Sequence, residues 1–317
     1  MFNRRNFLAG AAATSMLPAL PALARAPQTA AQVAGIYRRK VGDIEVTAIL
    51  DGYIPLNAQA FLGADPAQVK QILATAGLGE SLPTSVNAFV VNTRERTYLV
   101  DTGTGFNMAF GPTMGRAEGN LRAAGIDPAQ VDAVILTHAH PDHAEGLLTA
   151  EKTARFPNAE LIISEAEYAF WHDEGVLAQA PAEAKPFFAS ARNSLAPYAS
   201  RTRKVKPGEV APGLSLELVP GHTPGHSLLR ISSGSEQLML VGDTIHNAAI
   251  QTARPDIAFV FDLDGKQAAA SRKRVLDMVA SDGVLITGSH IAFPGFGKVM
   301  KDGAAFKFVP AEWTYAL

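Results

Sequence analysis

His138-Ala139-His140-Pro141-Asp142-His143 follows directly on the apolar run Val131-Asp132-Ala133-Val134-Ile135-Leu136-Thr137. Three imidazoles and a carboxylate this close together cannot face a hydrophobic core, because a buried polar group needs a partner. The apolar run reads as a buried strand, so the polar residues stand where a strand ends and a loop begins. That is a metal site on a rigid scaffold. Residues two apart in an extended loop point the same way, so His138 and His140 can hold one ion. Asp142 and His143 then turn toward a second.

Each ion still lacks ligands, and three more candidates lie further along. His226 closes the loop Pro220-Gly-His-Thr-Pro-Gly-His226, Asp243 ends the run Leu238-Met-Leu-Val-Gly-Asp243, and His290 follows Val284-Leu-Ile-Thr-Gly-Ser289. All three lie just past buried strands. A lone histidine after a strand is usually structural, but four such strand ends in one chain argue for a shared site. His222, in the same loop as His226, reads as a loop residue only. The chain has no cysteine, so any metal must be held by nitrogen and oxygen.

Of the 317 residues, 47% are hydrophobic and 18% charged, an ordinary globular balance with ample core material. A net charge of −2 gives no reason to expect nucleic acid or an anionic membrane surface as partner. Residues 1–24 read as an export signal. Arg4-Arg5 precede Asn6-Phe7-Leu8 and an Ala-rich apolar stretch, and Ala22-Leu23-Ala24 offers a cleavage site. The Arg-Arg-x-Phe-Leu order resembles a twin-arginine signal, which implies a periplasmic or secreted protein. Residues 25–35 read as a flexible leader and 36–317 as a single catalytic domain, with no membrane contact once the signal is cleaved.

Alternating residues 43–50 predict a strand that stops at the turn signal Asp51-Gly52. Residues 85–92, 97–100, 131–136 and 159–163 predict further strands. Ser164-Glu-Ala-Glu167 has the capping-box pattern of a helix start. Residues 182–195 predict a helix interrupted near Pro186. Residues 214–219, 227–231, 237–241 and 283–287 complete the strands, with an amphipathic helix over 266–280. Two blocks of strands, each trailed by helices, predict two sheets packed face to face with helices outside. Polar residues collect at strand ends, so the site belongs along one edge.

The ordered set of histidines and aspartates resembles the metallo-β-lactamase superfamily, which implies an α/β fold, an αββα sandwich with its metal site at one edge of the two sheets. Carried over, the resemblance implies that His138, His140 and His226 bind one ion and that Asp142, His143 and His290 bind the other. Asp243 would bridge the two ions, and Asp101 would support a ligand from behind. Two divalent ions are implied, of which zinc suits the donor set, with iron, manganese or cobalt as substitutes. Within the superfamily the chain is similar to methyl parathion hydrolase and its lactonase and aryl esterase relatives. Phe110-Gly-Pro-Thr-Met-Gly115, Phe156-Pro-Asn158, Ser289-His-Ile-Ala-Phe-Pro-Gly295 and Phe308-Val-Pro310 carry that likeness. It implies a leaving-group pocket lined by Phe110, Trp171 and Phe188, and a homodimer.

Two ions about 3.5–4 Å apart lower the pKa of a shared water and yield hydroxide at neutral pH. The expected activity is hydroxide attack on lactones and aryl esters, with Asp142, Asp243 and His246 as the catalytic side chains. His246 departs from the family pattern, in which methyl parathion hydrolase has an aliphatic residue and acyl-homoserine lactonases a tyrosine. A histidine there can hydrogen-bond a carbonyl or protonate a leaving alkoxide, and it crowds a bulky phosphotriester. Organophosphate triesters are therefore expected as the weaker substrates. The alternatives are a dedicated phosphotriesterase, a mononuclear iron enzyme of the persulfide dioxygenase kind, and a binding protein without catalysis.

Overall fold

The computed structural model describes residues 28–30 and 32–315. The expected export signal, residues 1–24, lies outside the described residues, as do leader positions 25–27 and 31. Residues 34–315 carry two seven-stranded sheets. Strands cross the first sheet in chain order: Ile36–Val41, Ile44–Asn57, Ser81–Asn92, Thr97–Val100, Ala133–Ile135, Glu160–Ser164 and Thr202–Val205. The second follows the same rule with Gly208–Ala211, Leu214–Leu218, Ser227–Ser233, Glu236–Leu240, Leu285–Thr287, Gly297–Asp302 and Ala305–Pro310.

The period of two along each strand sorts its side chains between layers. Ile135, Leu229 and Leu240 point into the core between the sheets, with Phe89 and Phe296. Their neighbours Val134, Leu228 and Met239 point the other way, under helices. Helices Glu165–His172 and Lys185–Leu195 cover the first sheet through Trp171, Phe188 and Leu195. Helix Gly265–Asp282 covers the second through Val275, Leu276 and Val279. The result is the expected αββα sandwich. Among the described residues no helix is long and apolar enough to cross a membrane.

Topology collects the strand ends that matter. Thr97–Val100 and Ala133–Ile135 run parallel, as do Glu236–Leu240 and Leu285–Thr287, so within each pair the C-terminal ends share one edge. Ser227–Ser233 is antiparallel to Glu236–Leu240, so the loop entering it opens on the same edge. Backbone bonds across the sheets, Ser227 N–H to Thr137 O (2.9 Å) and Asn87 N–H to Ser289 O (2.9 Å), hold the two edges together.

Two local expectations change. Asp51-Gly52 is not a turn but a bulge inside the long strand Ile44–Asn57, where the register shifts between Leu50 and Gly52. Asp51 is buried and accepts from Thr104 N–H (2.9 Å), Thr104 Oγ1 (2.9 Å) and Ala117 N–H (2.8 Å). Gly52 has φ 149°, and a Cβ there would lie 2.0 Å from Thr113 O. The second change concerns Pro186. It does not interrupt a helix; it stands in the first turn of Lys185–Leu195, where its missing N–H costs nothing.

Candidate metal centre

Seven of the eight histidines, all but His172, meet at this edge with Asp142 and Asp243. His138 and His140 leave the strand Ala133–Ile135 in extended backbone, and the single helical turn Pro141–Ala144 presents Asp142 and His143. His140 Nδ1 lies 3.0 Å from His138 Nε2 and 2.9 Å from His222 Nε2. His143 Nε2 lies 3.2 Å from Asp243 Oδ1 and 3.5 Å from Asp142 Oδ2, and His290 Nε2 lies 3.0 Å from Asp243 Oδ2 and 3.5 Å from Asp142 Oδ2. Asp243 is thus shared between a three-histidine end and a His143–Asp142–His290 end.

The tautomers follow from the partners behind the rings, because carbonyls and carboxylates can only accept. His143 Nδ1–H donates to Asp101 Oδ2 (2.8 Å), His290 Nδ1–H to Ser85 O (2.9 Å), and His222 Nδ1–H to Asp262 Oδ1 (2.9 Å). Thr137 Oγ1 gives its own proton to Asp101 Oδ2 (2.8 Å) and so accepts from His138 Nδ1 (3.1 Å). Four Nε2 lone pairs are therefore turned inward, and they converge on one another and on carboxylates. Leaving one buried polar atom unsatisfied costs about 1–3 kcal/mol. Here His143 Nε2 and Asp243 Oδ1 are buried with no hydrogen-bond partner. A set of inward nitrogen lone pairs around a shared carboxylate is the donor chemistry of divalent cations such as zinc.

The acid–base balance says the same. Burial opposes charge on Asp243, yet the imidazoles of His143, His290, His138 and His222 hold its carboxyl well below the usual range. Burial pulls His222 down too, but Asp243 and Asp262 outweigh it and raise the ring to about 9. His143 and His290 are also raised, since Asp243 and Asp142 outweigh their burial. His138 and His140 are held well below the usual imidazole range, first by burial, then by the imidazoles beside them. Buried Asp243 thus demands positive charge, supplied by protons or by metal ions.

The structure corrects one expected ligand. His226 Nδ1–H donates to Val219 O (3.1 Å), and its Nε2 accepts from Asp243 N–H (2.9 Å). A backbone N–H can only donate, so neither ring nitrogen of His226 is free for a metal. His222 Nε2 lies with the ring nitrogens of His138 and His140, in a group that could hold an ion. His226 instead props up the turn that carries Asp243, and Gly242 must be glycine there, since a Cβ would sit 2.6 Å from His226 Nε2.

The expected pocket also shifts. Trp171 and Phe188 are buried and pack on each other (4.9 Å between ring centroids), so neither forms an open wall. Phe110 ends the short turn Met108–Phe110, half-buried and without a ring contact to the histidines. Two aromatic rings lie beside His140: buried Trp171 (5.6 Å), one of the expected pocket residues, and Phe187 (5.7 Å), which meets half-exposed Phe261 (6.1 Å). His246 does reach the cluster: Nε2 lies 3.2 Å from Asp243 Oδ2, and the ring stacks between Phe259 (3.8 Å) and His290 (5.1 Å). Burial, only partly offset by Asp243, lowers its pKa to about 4, so the ring is neutral at pH 7. With its Nε2–H given to Asp243, it has no second N–H for a carbonyl or a leaving alkoxide.

Three supporting groups escaped the sequence reading. Glu167 caps no helix: Ser164 makes no capping bond, and the Glu167 carboxylate is buried under the two histidine loops. Asp262 orients His222 while accepting from Phe259 N–H (2.8 Å), and lies 3.5 Å from buried Arg272. Asp51 ties the loops at 104 and 117 to the long strand.

Comparison with known proteins agrees with this geometry. Residues 82–290 match the model of the metallo-beta-lactamase superfamily. An N-acyl homoserine lactonase of Bacillus sp is 28% identical over 233 residues, covering 67% of this chain and 83% of that protein. The crystal structure of AbOPH, a hydrolase in the beta lactamase superfamily, superposes with a TM-score of 0.84 at 33% identity, over 90% of this chain and 100% of that one. AidC, a dizinc quorum-quenching lactonase solved with a product, superposes with a TM-score of 0.82 at 29% identity over the same shares. Two stacked sheets, a histidine–aspartate cluster at one edge and a family match across most of the fold lead to one assignment: the chain belongs to the metallo-β-lactamase superfamily.

Proposed function

We propose that this metal-dependent hydrolase opens lactones and cleaves aryl esters, and that phosphotriesters are its slower substrates. The observation that carries the reading is the set of four inward Nε2 lone pairs around Asp243, together with the likeness to lactonases. Two divalent cations, zinc by the precedent of AidC, fit those donors and supply hydroxide at neutral pH together with polarisation of an ester carbonyl. His138, His140 and His222 would hold one and Asp142, His143 and His290 the other, with Asp243 within reach of both groups.

The chain's own residues do the rest. Asp142 is the cluster carboxylate with the most open side chain, 12% exposed. It takes the proton of the attacking water and returns it to the leaving oxygen. Asp101, Asp262 and Ser85 O hold the rings that present lone pairs. Phe187 and Phe261 form an aromatic wall beside His140, suited to aryl groups and apolar acyl chains. His246, wedged against Phe259, narrows the approach. A flat ester carbonyl passes more easily than a tetrahedral phosphorus with three ester groups.

The test compares dihydrocoumarin, an acyl-homoserine lactone and methyl paraoxon with the zinc-loaded protein, before and after His246→Leu. Lactone turnover should dominate, and the substitution should raise phosphotriester turnover relative to it. Dominant phosphotriester turnover in the unsubstituted protein would make the enzyme a dedicated phosphotriesterase.

A further inference from the structure

We propose that Glu167 is the positioning residue that sets the span between the two histidine loops, and so the geometry of the His138–His140–His222 end of the centre. Glu167 touches none of these rings. Its Oε1 accepts from Ala139 N–H (2.9 Å) and Trp171 Nε1–H (2.6 Å), and its Oε2 from Thr223 Oγ1 (2.5 Å) and Gly225 N–H (3.1 Å). Ala139 lies between His138 and His140, and Thr223 is next to His222. The first loop leaves one sheet and the second belongs to the other. Besides the backbone bond from Ser227 to Thr137 and the contact of His140 Nδ1 with His222 Nε2 (2.9 Å), this single carboxylate joins them.

The fit is built in. Gly225 lets the second loop close on the helix, since a Cβ there would lie 2.0 Å from Glu167 N. Glu167 is fully buried, and burial raises its pKa although the bonds from Thr223, Trp171 and Ala139 oppose the shift. A core position without a positioning task would be filled more cheaply by an apolar side chain.

Each oxygen serves one loop, so the amide is an asymmetric probe. In Glu167→Gln the amide oxygen stays on Ala139 N–H and Trp171 Nε1–H, because the reverse placement would set the NH2 against two groups that can only donate instead of one. The NH2 then faces Thr223, whose hydroxyl can turn to accept, and Gly225 N–H, which cannot. The first loop stays pinned and the second comes loose with His222.

The inference rests on the metal reading above, and its test reads metal directly. Zinc is titrated into the full metal-free chain against a chromophoric chelator, and cobalt(II) absorption is followed in parallel. In Glu167→Gln one of the two binding steps should weaken by about 10–100-fold, as when a ligand loses its supporting partner. The other step should keep its affinity, and the cobalt bands of the weakened site should change. Thr223→Val, which removes one hydroxyl and keeps every backbone bond, should weaken the same step by less, and it carries the test if the amide variant does not fold. Equal weakening of both steps, or no change in a folded variant, would show Glu167 to be packing only. An unsubstituted chain that takes up no zinc would overturn the metal reading, and this proposal with it.

Discussion

Replacing Asp262 by Asn isolates what the layer behind the ligands contributes. Asp262 gives one oxygen to His222 Nδ1–H (2.9 Å) and the other to Phe259 N–H (2.8 Å). Asparagine has a single oxygen. If that oxygen keeps Phe259, the NH2 faces His222 Nδ1, which must then accept. The ring proton moves to Nε2, and the inward lone pair is lost. If the oxygen keeps His222, the NH2 meets the Phe259 N–H, and a buried donor is left without an acceptor. Either way about one charge-assisted hydrogen bond is forfeited, worth about 1.5–3 kcal/mol. At 1.36 kcal/mol per tenfold, that is a loss of about 10–150-fold in affinity for the ion at His138, His140 and His222. A second effect runs the other way. Asp262 helps hold His222 at about 9 against its burial, so removing its charge lowers that pKa and weakens proton competition at pH 7. The affinity loss should therefore widen as the pH rises from 7 to 9, where His222 of the unsubstituted chain gives up its proton. Chelator competition at both pH values measures it. The melting temperature is followed alongside, because buried Arg272 loses a carboxylate 3.5 Å away. Unchanged affinity at both pH values in a folded variant would refute the assignment of His222 as a ligand oriented by Asp262.

Three further outcomes are expected. His222→Ala should reduce zinc uptake from two ions per chain to one, while His226→Ala, which removes only the prop under Asp243, should still bind two with lower affinity; mass spectrometry of the native protein distinguishes them, and the reverse pattern would restore His226 as the ligand. Zinc binding at pH 7 should release protons, because His222 rises to about 9 in the metal-free chain and His143 and His290 are also raised; calorimetry in two buffers of different ionisation enthalpy counts them, and zero release contradicts the lone-pair assignment. Gly52→Ala should cost about 1–3 kcal/mol in denaturant unfolding, since its Cβ would meet Thr113 O at 2.0 Å; an unaltered midpoint would mean that the bulge relaxes freely.

What the sequence shows and what it hides divides along the range of the interactions. The strands are legible because burial imposes a period of two within a few residues, and the cluster His138–His143 because its donors are neighbours in the chain. Asp51-Gly52 misleads because a turn signal is local, whereas the bulge it makes answers to Thr104, Thr113 and Ala117 far along the chain. Ser164-Glu-Ala-Glu167 misleads in the same way: the spacing of a capping box is present, but the glutamate is drawn off by Ala139, 28 residues before it, and Thr223, 56 after. Phe187 and Phe188 are adjacent on one helix and face different neighbours, one His140 and the other the core, which no pattern separates at a helix boundary. His222 and His226 are harder still, both imidazoles in one Gly/Pro loop. A signal does exist. His226 adjoins the strand Ser227–Ser233, and its carbonyl closes the loop onto Val219 N–H (2.9 Å), so it is fixed at the loop's base while His222 rides at the tip, where reach toward the sheet edge is possible. The same logic explains why Asp262 and Glu167 went unseen and why Asp101 is reached only through the family resemblance. Asp101 stands 42 residues from His143, and Asp262 stands 40 from His222. A ligand layer can be compact in sequence because a loop delivers it in one piece. The layer that fixes its tautomers must come from behind, from other strands and helices, and so its residues look like ordinary acids until the chain is folded.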